Sequence, residues 1–300
     1  METTQRKGVI GRGIRILAGY VRHHRGPFAA AICAAMVFAV ATVASAVVLG
    51  RVTDRVITPS FRGGVPTRTI VLGLVAVFVV AVMRAGGAGG RRYFAGMTGF
   101  RTQRTLRTRI ADKYRELPVA YHRSRPTGEL LAHAESDVLA ATEVLNPLPF
   151  SVAAVVLVIV AIIVLVATDP FLAIVGFSLW PILAVLNRLF GRVVEPPASR
   201  AQQKIGDVSG VVHESVDGAL VVKTLGREDA EVERLAAQAE DLRRERIHMG
   251  ELRADFEPAF NALPGLGIVA LLALGAWRVS EGAITFGTLV QFVSLFQLLT

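Results

Sequence analysis

Long runs almost free of charge constrain this chain more than any other feature. No Asp, Glu, Lys or Arg occurs between Pro27 and Gly50, or between Leu148 and Thr168. About 20 apolar residues, rising ~1.5 Å each in a helix, cross the ~30 Å hydrocarbon core of a bilayer. Six segments of this kind run along the chain: Pro27–Gly50, Thr69–Gly90, Leu148–Thr168, Phe171–Phe190, Pro258–Trp277 and Thr285–Thr300. The only charged residues inside them are Arg84 and Arg188. In lipid every backbone N–H and C=O must pair internally, which selects helices. The expected fold class is therefore all-α, a polytopic membrane protein of six spans. A charged fraction of 19% and a mean hydropathy of +0.50 exclude a disordered tail and an ordinary soluble enzyme. With one cysteine, Cys33, a disulfide scaffold is excluded too. The sixth segment has 16 residues and stops at Thr300 with no basic flank. A helix ending there leaves its last carbonyls unpaired, so the expectation is a sixth span cut short within a longer polypeptide.

The basic residues orient the spans. Of the 33 Lys and Arg, 26 lie in segments 1–26, 91–147 and 191–257, and five lie in 51–68, 168–170 and 278–284. The positive-inside bias places the N-terminus and both long connections in the cytoplasm. The net charge of +9 thus reports topology, not a nucleic-acid partner. Ala44-Ser45-Ala46 resembles a signal-peptidase site, but 26 residues precede the first apolar run. Among them Ile10, Ile14, Leu17, Ala18 and Val21 keep helical spacing, with Arg12, Arg15, Arg22 and Arg25 around them. That pattern suits an amphipathic helix on the inner membrane surface, so residues 1–26 read as an N-terminal tail and surface helix ahead of a membrane domain at 27–300.

The connections differ in kind. Asp169-Pro170 is a near-minimal outer turn, whereas the cytoplasmic connections hold 57 and 67 residues. Rich in Arg, Glu, Ala, Leu and Gln, they predict charged helices over Arg91–Glu116 and Asp229–Glu251 that continue the spans as stalks. Pro118 and Pro126 should break the first, and Pro196-Pro197 should bend or bound the second. Pro181 and Pro264 are placed to kink spans four and five.

At the stalk ends lie two distinctive stretches. One runs Leu117-Pro118-Val119-Ala120-Tyr121-His122, then Pro126-Thr127-Gly128-Glu129-Leu130-Leu131, then Ser136-Asp137. The other holds Glu214-Ser215, Gly218, Val222-Lys223 and Glu228. A third, Gly275-Ala276 followed by Gly282-Ala283-Ile284-Thr285-Phe286-Gly287, leads into the last span. Together, and in this order, they resemble the transmembrane domain of exporter-type ATP-binding cassette (ABC) transporters, and the amphipathic start resembles that family's elbow helix. The resemblance implies two coupling segments, one at Thr127, Gly128, Glu129 and Leu130, the other at Glu214, Ser215, Gly218 and Val222. It implies a homo- or heterodimer with spans four and five crossing to the second transmembrane subunit. It also implies nucleotide-binding domains carrying Mg-ATP, and alternating access as the mode of transport. The substrate expected from few buried charges is a lipid, hydrophobic drug or peptide, moved outward across a bacterial inner (plasma) membrane. The alternatives are an importer of siderophore or lipid on the same fold, and a non-transporting sensor or scaffold.

The chain departs from a complete transporter in one respect. It holds no G-x-x-x-x-G-K-[ST] loop to cradle phosphate, so no catalytic site is expected here and ATP hydrolysis falls to another domain. The cluster Gly86-Gly87-Ala88-Gly89-Gly90 reads instead as close helix packing. His213, Glu214 and Asp217 lack an H-E-x-x-H pattern and a third ligand, so no metal site is expected. Thr42, Ser45, Asn261, Gln291 and Ser294 are candidate cavity lining, as are Ser151, Ser178, Asn187 and Gln297. Hydrogen bonding between helices is the competing use of each. Arg84 is expected near the inner interface, its guanidinium snorkelling out or facing the pathway.

Overall fold

A computed structural model of the protein describes Gly19, residues 22–61 and residues 63–299. The amphipathic segment at residues 10–21 lies outside the described residues except for Gly19. Every regular element among the described residues is helical. The helices are α1 (Arg25–Val52), α2 (Thr67–Glu116), α3 (Val119–Arg123), α4 (Thr127–Ala134), α5 (Ser136–Glu143) and α6 (Leu148–Thr168). They continue as α7 (Pro170–Phe177), α8 (Leu179–Asp217), α9 (Ala219–Thr224), α10 (Glu228–Ser280) and α11 (Phe286–Leu299). Five helical stretches are long and apolar enough to cross a membrane, and α11 is a shorter apolar helix of 14 residues. The chain is an integral membrane protein.

Residues divide into two compact units, one of Met1–Pro170 with Ala276–Leu299, the other of Phe171–Gly275. In the first, α1 packs against α2, α6 and α11. Ala31, Ala35 and Ala39 recur every four residues on α1 and are fully buried, a stripe of small side chains that lets neighbouring backbones approach. Ala153 of α6 joins Ala35 and Ala39 in the core, with Phe38, Val156 and Leu157 around them. Across from α1, a Cβ added at Gly87 would lie 2.7 Å from the Phe38 backbone nitrogen, and one at Gly90 would lie 3.2 Å from Ala34 Cβ. Gly86 and Gly89 face open space. Only part of the glycine cluster serves the close approach. Just beyond it, the Arg91 guanidinium lies over the Phe38 ring at 5.7 Å and the Phe150 ring at 5.1 Å.

With 50 residues rising ~1.5 Å each, α2 is about 75 Å long, more than twice the hydrocarbon core. The expected stalk is thus continuous with the span. It stops where Leu117 turns extended ahead of Pro118, as a residue before proline prefers, and Pro126 opens α4 in the same way.

The second unit is a helical hairpin. Phe190 of α8 meets Phe256 and Phe260 of α10 edge to face, each at 5.6 Å between ring centres. Farther along, Arg200 pairs with Glu245 and Lys204 with Asp241, both at 3.3 Å. Ser215 donates to Glu231 Oε1 at 2.6 Å. The pairing runs antiparallel, residue numbers rising on α8 as they fall on α10.

The prolines depart from expectation. No boundary falls at Pro196-Pro197, because α8 runs through both. Each proline removes one internal donor at a cost of about 3 kcal/mol, but the ladder resumes beyond them and ties to α10 hold the far segment. The fourth span breaks instead at Ser178, between α7 and α8. Pro181 has no N–H for the Phe177 carbonyl four residues back, so the ladder lapses there. Ser178 closes α7 by donating its Oγ to Val175 O at 2.7 Å.

Candidate functional site

Three places in the structure combine accessible space or surface with polar chemistry. The first is a cavity of about 700 Å³ in the first unit, walled by α1, α2 and α11. Phe38, Leu49, Val77, Val80 and Leu298 make it apolar, and Ser45, Arg84, Ser294 and Gln297 give it polarity. Ser45 Oγ donates to Thr42 O at 2.6 Å and Ser294 Oγ to Val290 O at 2.8 Å. Each hydroxyl thus satisfies its proton inside its own helix and keeps lone pairs for the cavity. No ion pair joins Arg84 to another described residue, so it is the cavity's one formal charge.

Of the nine candidate lining residues, the structure places Ser45, Ser294 and Gln297 on this wall. Thr42 is 2% exposed and donates to Phe38 O at 2.7 Å, on the buried side of α1. Gln291 is 9% exposed, and its Nε2 donates to Thr168 Oγ1 at 3.3 Å, tying α11 to α6. Those two serve helix contacts. Asn261 is exposed on α10 in the second unit.

The second place is the end of the first stalk. Thr127, Gly128, Glu129 and Leu130 form the opening turn of α4. Tyr114 holds this turn against α2, its Oη donating to Leu130 O at 2.8 Å. Burial, then the Tyr121 phenol, raises the Tyr114 pKa. Glu129 is ion-paired with Arg125, and His133 stands 3.9 Å from it. Gly128 is exposed with no atom near the place of a Cβ, and Val119 and Leu131 expose apolar surface beside it.

The third is the end of the hairpin. There α8 ends at Asp217, Gly218 turns the chain, and α9 runs across the tip. Gly226 has φ +60°, a left-handed conformation that favours glycine, and it reverses the chain into α10. Glu214 and Ser215 face the returning helix, Glu214 ion-paired with Arg234 and Ser215 bonded to Glu231. The hydrogen bond that Arg234 donates to Glu214 raises the Arg234 pKa. Leu220 at the tip is 77% exposed, with Val216, Val221 and Leu225 also open. An exposed apolar knob thus stands at this tip, with the ion pairs of Arg234 behind it.

Sequence reasoning missed the residues that tie together the ends of the first unit's spans away from the stalk. Asp54 sits in a π-helical turn, Thr53–Ile57, that ends α1. Its Oδ1 accepts from the Gly287 backbone N–H at 2.7 Å and its Oδ2 from Thr285 Oγ1 at 2.6 Å. A carboxylate thus caps the start of α11, where orphan N–H groups and the helix dipole favour negative charge. Asp169, 4% exposed in the turn between α6 and α7, accepts from Arg278 at 2.5 Å. The sequence signal for both was an acid at the mouth of a span, with nothing to name its partner.

Comparison with known proteins bears on all of this. The family model described as ABC transporter transmembrane region matches residues 28–300. A multidrug efflux ATP-binding/permease protein of Mycobacterium tuberculosis is 27% identical over 288 residues, 94% of this chain and 23% of that protein. An ATP-dependent lipid A-core flippase of Desulfotalea psychrophila is 24% identical over 64% of this chain and 34% of its own length. A fatty acid ABC transporter ATP-binding/permease protein of Mycobacterium bovis is 26% identical over 75% of this chain and 35% of its own. The chain spans between about a quarter and a third of the length of these relatives.

Proposed function

The chain belongs to the ABC transporter transmembrane region family, and on that premise we propose that it forms part of the substrate pathway of an ATP-driven exporter. The observation that carries this reading is the cavity among α1, α2 and α11, apolar over most of its wall with Arg84 as its charge. Such a wall suits a hydrophobic or amphipathic molecule whose polar or anionic head meets Arg84, Ser45, Ser294 and Gln297. Names among the relatives, multidrug efflux, lipid flippase and fatty acid transporter, point to the same class.

The working unit is a dimer of transmembrane subunits in a bacterial inner membrane, stalks on the cytoplasmic side by the charge bias. Mg-ATP supplies the free energy, held by nucleotide-binding domains on the same polypeptide or on a partner subunit, since these 300 residues hold no phosphate-cradling loop. The task of this chain is mechanical. Thr127–Leu130 and Glu214–Val222 dock on those domains, with Gly128 and Gly218 permitting close approach. The ion pairs Arg125–Glu129 and Glu214–Arg234 hold each tip rigid, so that movement reaches the spans.

The test uses the complete transporter with its ATPase domains. Glu129→Ala, or alanine at 214–218, should uncouple it, substrate no longer stimulating hydrolysis and transport lost while basal hydrolysis survives. Unchanged stimulation and transport would refute the docking assignment. Right-side-out against inside-out vesicles would show the direction.

A further inference from the structure

A second cavity, of about 620 Å³, lies where α1 begins, away from the substrate cavity. His23, His24, Arg101, Arg104, Thr105, Thr108 and Arg109 line it. The α2 residues fall at i, i+3, i+4, i+7 and i+8, a single helical face. His24 Nε2 reaches across to Thr105 Oγ1 at 3.0 Å. Burial, then His23 and Arg101, lowers the His24 pKa, and three arginines bring permanent charge to the cavity.

Those arginines contrast with the paired basic residues of the same stalk. Nearby Arg107 pairs with Glu135, Lys113 with Glu116 and Arg115 with Asp112. Arg101, Arg104 and Arg109 have no acidic partner among the described residues. The sequence explains the imbalance: no Asp or Glu occurs anywhere between Asp54 and Asp112, nor between Glu2 and Asp54. Three exposed guanidiniums therefore converge with two threonine hydroxyls in a field without a local counter-charge.

Depth then identifies the ligand. α1 and α2 run antiparallel, with Gly87 against Phe38, Gly90 against Ala34 and Thr105 against His24. His24 stands three residues before Pro27, where the uncharged run starts, so the His24–Thr105 contact marks the membrane boundary at this end. From Arg101 to Arg109 the helix rises about 12 Å. Headgroup regions add only about 5–8 Å on each side of the hydrocarbon core, within reach of arginine side chains on such a band.

We propose that this basic cavity is a binding site for the phosphate headgroup of an anionic phospholipid. Guanidiniums pair phosphate oxygens in bidentate geometry, and Thr108 and His23 complete the donor set. A basic pocket at the end of membrane helices is a recognised setting for such headgroups. The inference needs only the membrane placement of α1 and α2, so it stands or falls apart from coupling and transport.

The test is lipid retention by the complete transporter in neutral detergent, read by native mass spectrometry with phosphatidylglycerol against phosphatidylcholine. The wild-type protein should hold phosphatidylglycerol preferentially. Removing a charge near the surface weakens such binding roughly five-fold, so R101Q/R104Q should weaken it roughly 25-fold. R101K/R104K, which keeps the charge but loses the bidentate fork, should fall between wild type and R101Q/R104Q, and R115Q, farther out on α2, should match wild type. Equal retention of the two lipids by wild type, or wild-type retention by R101Q/R104Q, would overturn the proposal. So would displacement of phosphatidylglycerol by millimolar inorganic phosphate, which would make this a site for soluble anions.

Discussion

Four glycines at the stalk end of the second span look alike in sequence and should respond oppositely to one added methyl group. At Gly87 a Cβ would lie 2.7 Å from Phe38 N, 2.9 Å from Phe38 Cα and 3.1 Å from Ala34 O. All three are backbone atoms, and none can rotate aside. To regain an ordinary contact near 3.4 Å, α1 and α2 must part by roughly 0.5–0.7 Å, which costs each atom pair along the seam a quarter or more of its attraction. Overpacking of this kind costs about 1–3 kcal/mol, and alanine's better helix propensity returns about 1 kcal/mol. Gly87→Ala should therefore destabilise by about 1 kcal/mol. Gly86 and Gly89 have nothing within 4 Å of an added Cβ, so alanine there should stabilise by about 0.5–1 kcal/mol. The informative quantity is the separation of Gly86→Ala from Gly87→Ala, about 2 kcal/mol between adjacent residues with the same chemical change. Reversible unfolding in mild detergent, followed by circular dichroism with the variants side by side, measures it. If Gly87→Ala proves as stable as Gly86→Ala, the close backbone contact is not what holds α1 to α2.

Two further outcomes concern the ties at Asp54 and Asp169. Asp169→Asn leaves the Arg278 guanidinium facing a neutral amide in a site where Asp169 is 4% exposed, so stability should fall by about 3–5 kcal/mol. Asp169→Asn with Arg278→Gln should recover much of that loss, and a double variant no better than the sum of the singles would argue against direct pairing. Asp54→Asn keeps the shape and one acceptor for the Gly287 N–H but removes the charge at the start of α11; a loss of about 1 kcal/mol is expected in the same unfolding assay, and about 2 kcal/mol for Asp54→Ala. Equal stability of wild type and Asp54→Ala would refute the cap.

The apolar spans and the end of α2 were legible because local chemistry decides them. An uncharged run of 24 residues from Pro27 to Gly50 has few fates, and Pro118 and Pro126 end helices by removing their own donors. The break at Ser178 was locally encoded as well, in Pro181, although the sequence reading took it as a kink and placed no interruption there. What stayed hidden was the rotation of each span. A helix apolar all round gives no moment to show which face meets protein, so Ser45 and Thr42, three residues apart on α1, were equal candidates. Their neighbours separate them, since Thr42 faces the packed side and Ser45 the cavity. Arg84 was ambiguous for a related reason, because its depth follows from counting residues but its direction depends on where α1 and α11 sit. Pairings across the chain were hidden more deeply. Asp54 and Gly287 are 233 residues apart, as Asp169 and Arg278 are 109, and no periodicity connects them.

Those hidden pairs bear on how the first unit can move. Asp54 on Thr285 and Gly287, Asp169 on Arg278 and Gln291 on Thr168 all lie where α1 and α6 end and α11 begins. At this end α1, α6, α11 and the last turn of α10 are joined by charge-assisted hydrogen bonds partly shielded from water, where losing one partner is far more costly than at an exposed surface. Beyond Arg91, the contacts of α2 include exposed ion pairs such as Arg107–Glu135, worth at most about 1 kcal/mol each, beside buried Thr98 and Thr102 and the bond from Gln103 Nε2 to Thr142 Oγ1. The alanine and glycine seam between α1 and α2 tolerates no increase in side-chain volume at Gly87, so sliding these helices across one another meets backbone, not flexible side chains. The transport cycle proposed above would therefore carry α1, α2, α6 and α11 together as one body at this end and take up adjustment farther along α2, where exposed ion pairs such as Arg107–Glu135 carry part of the contact.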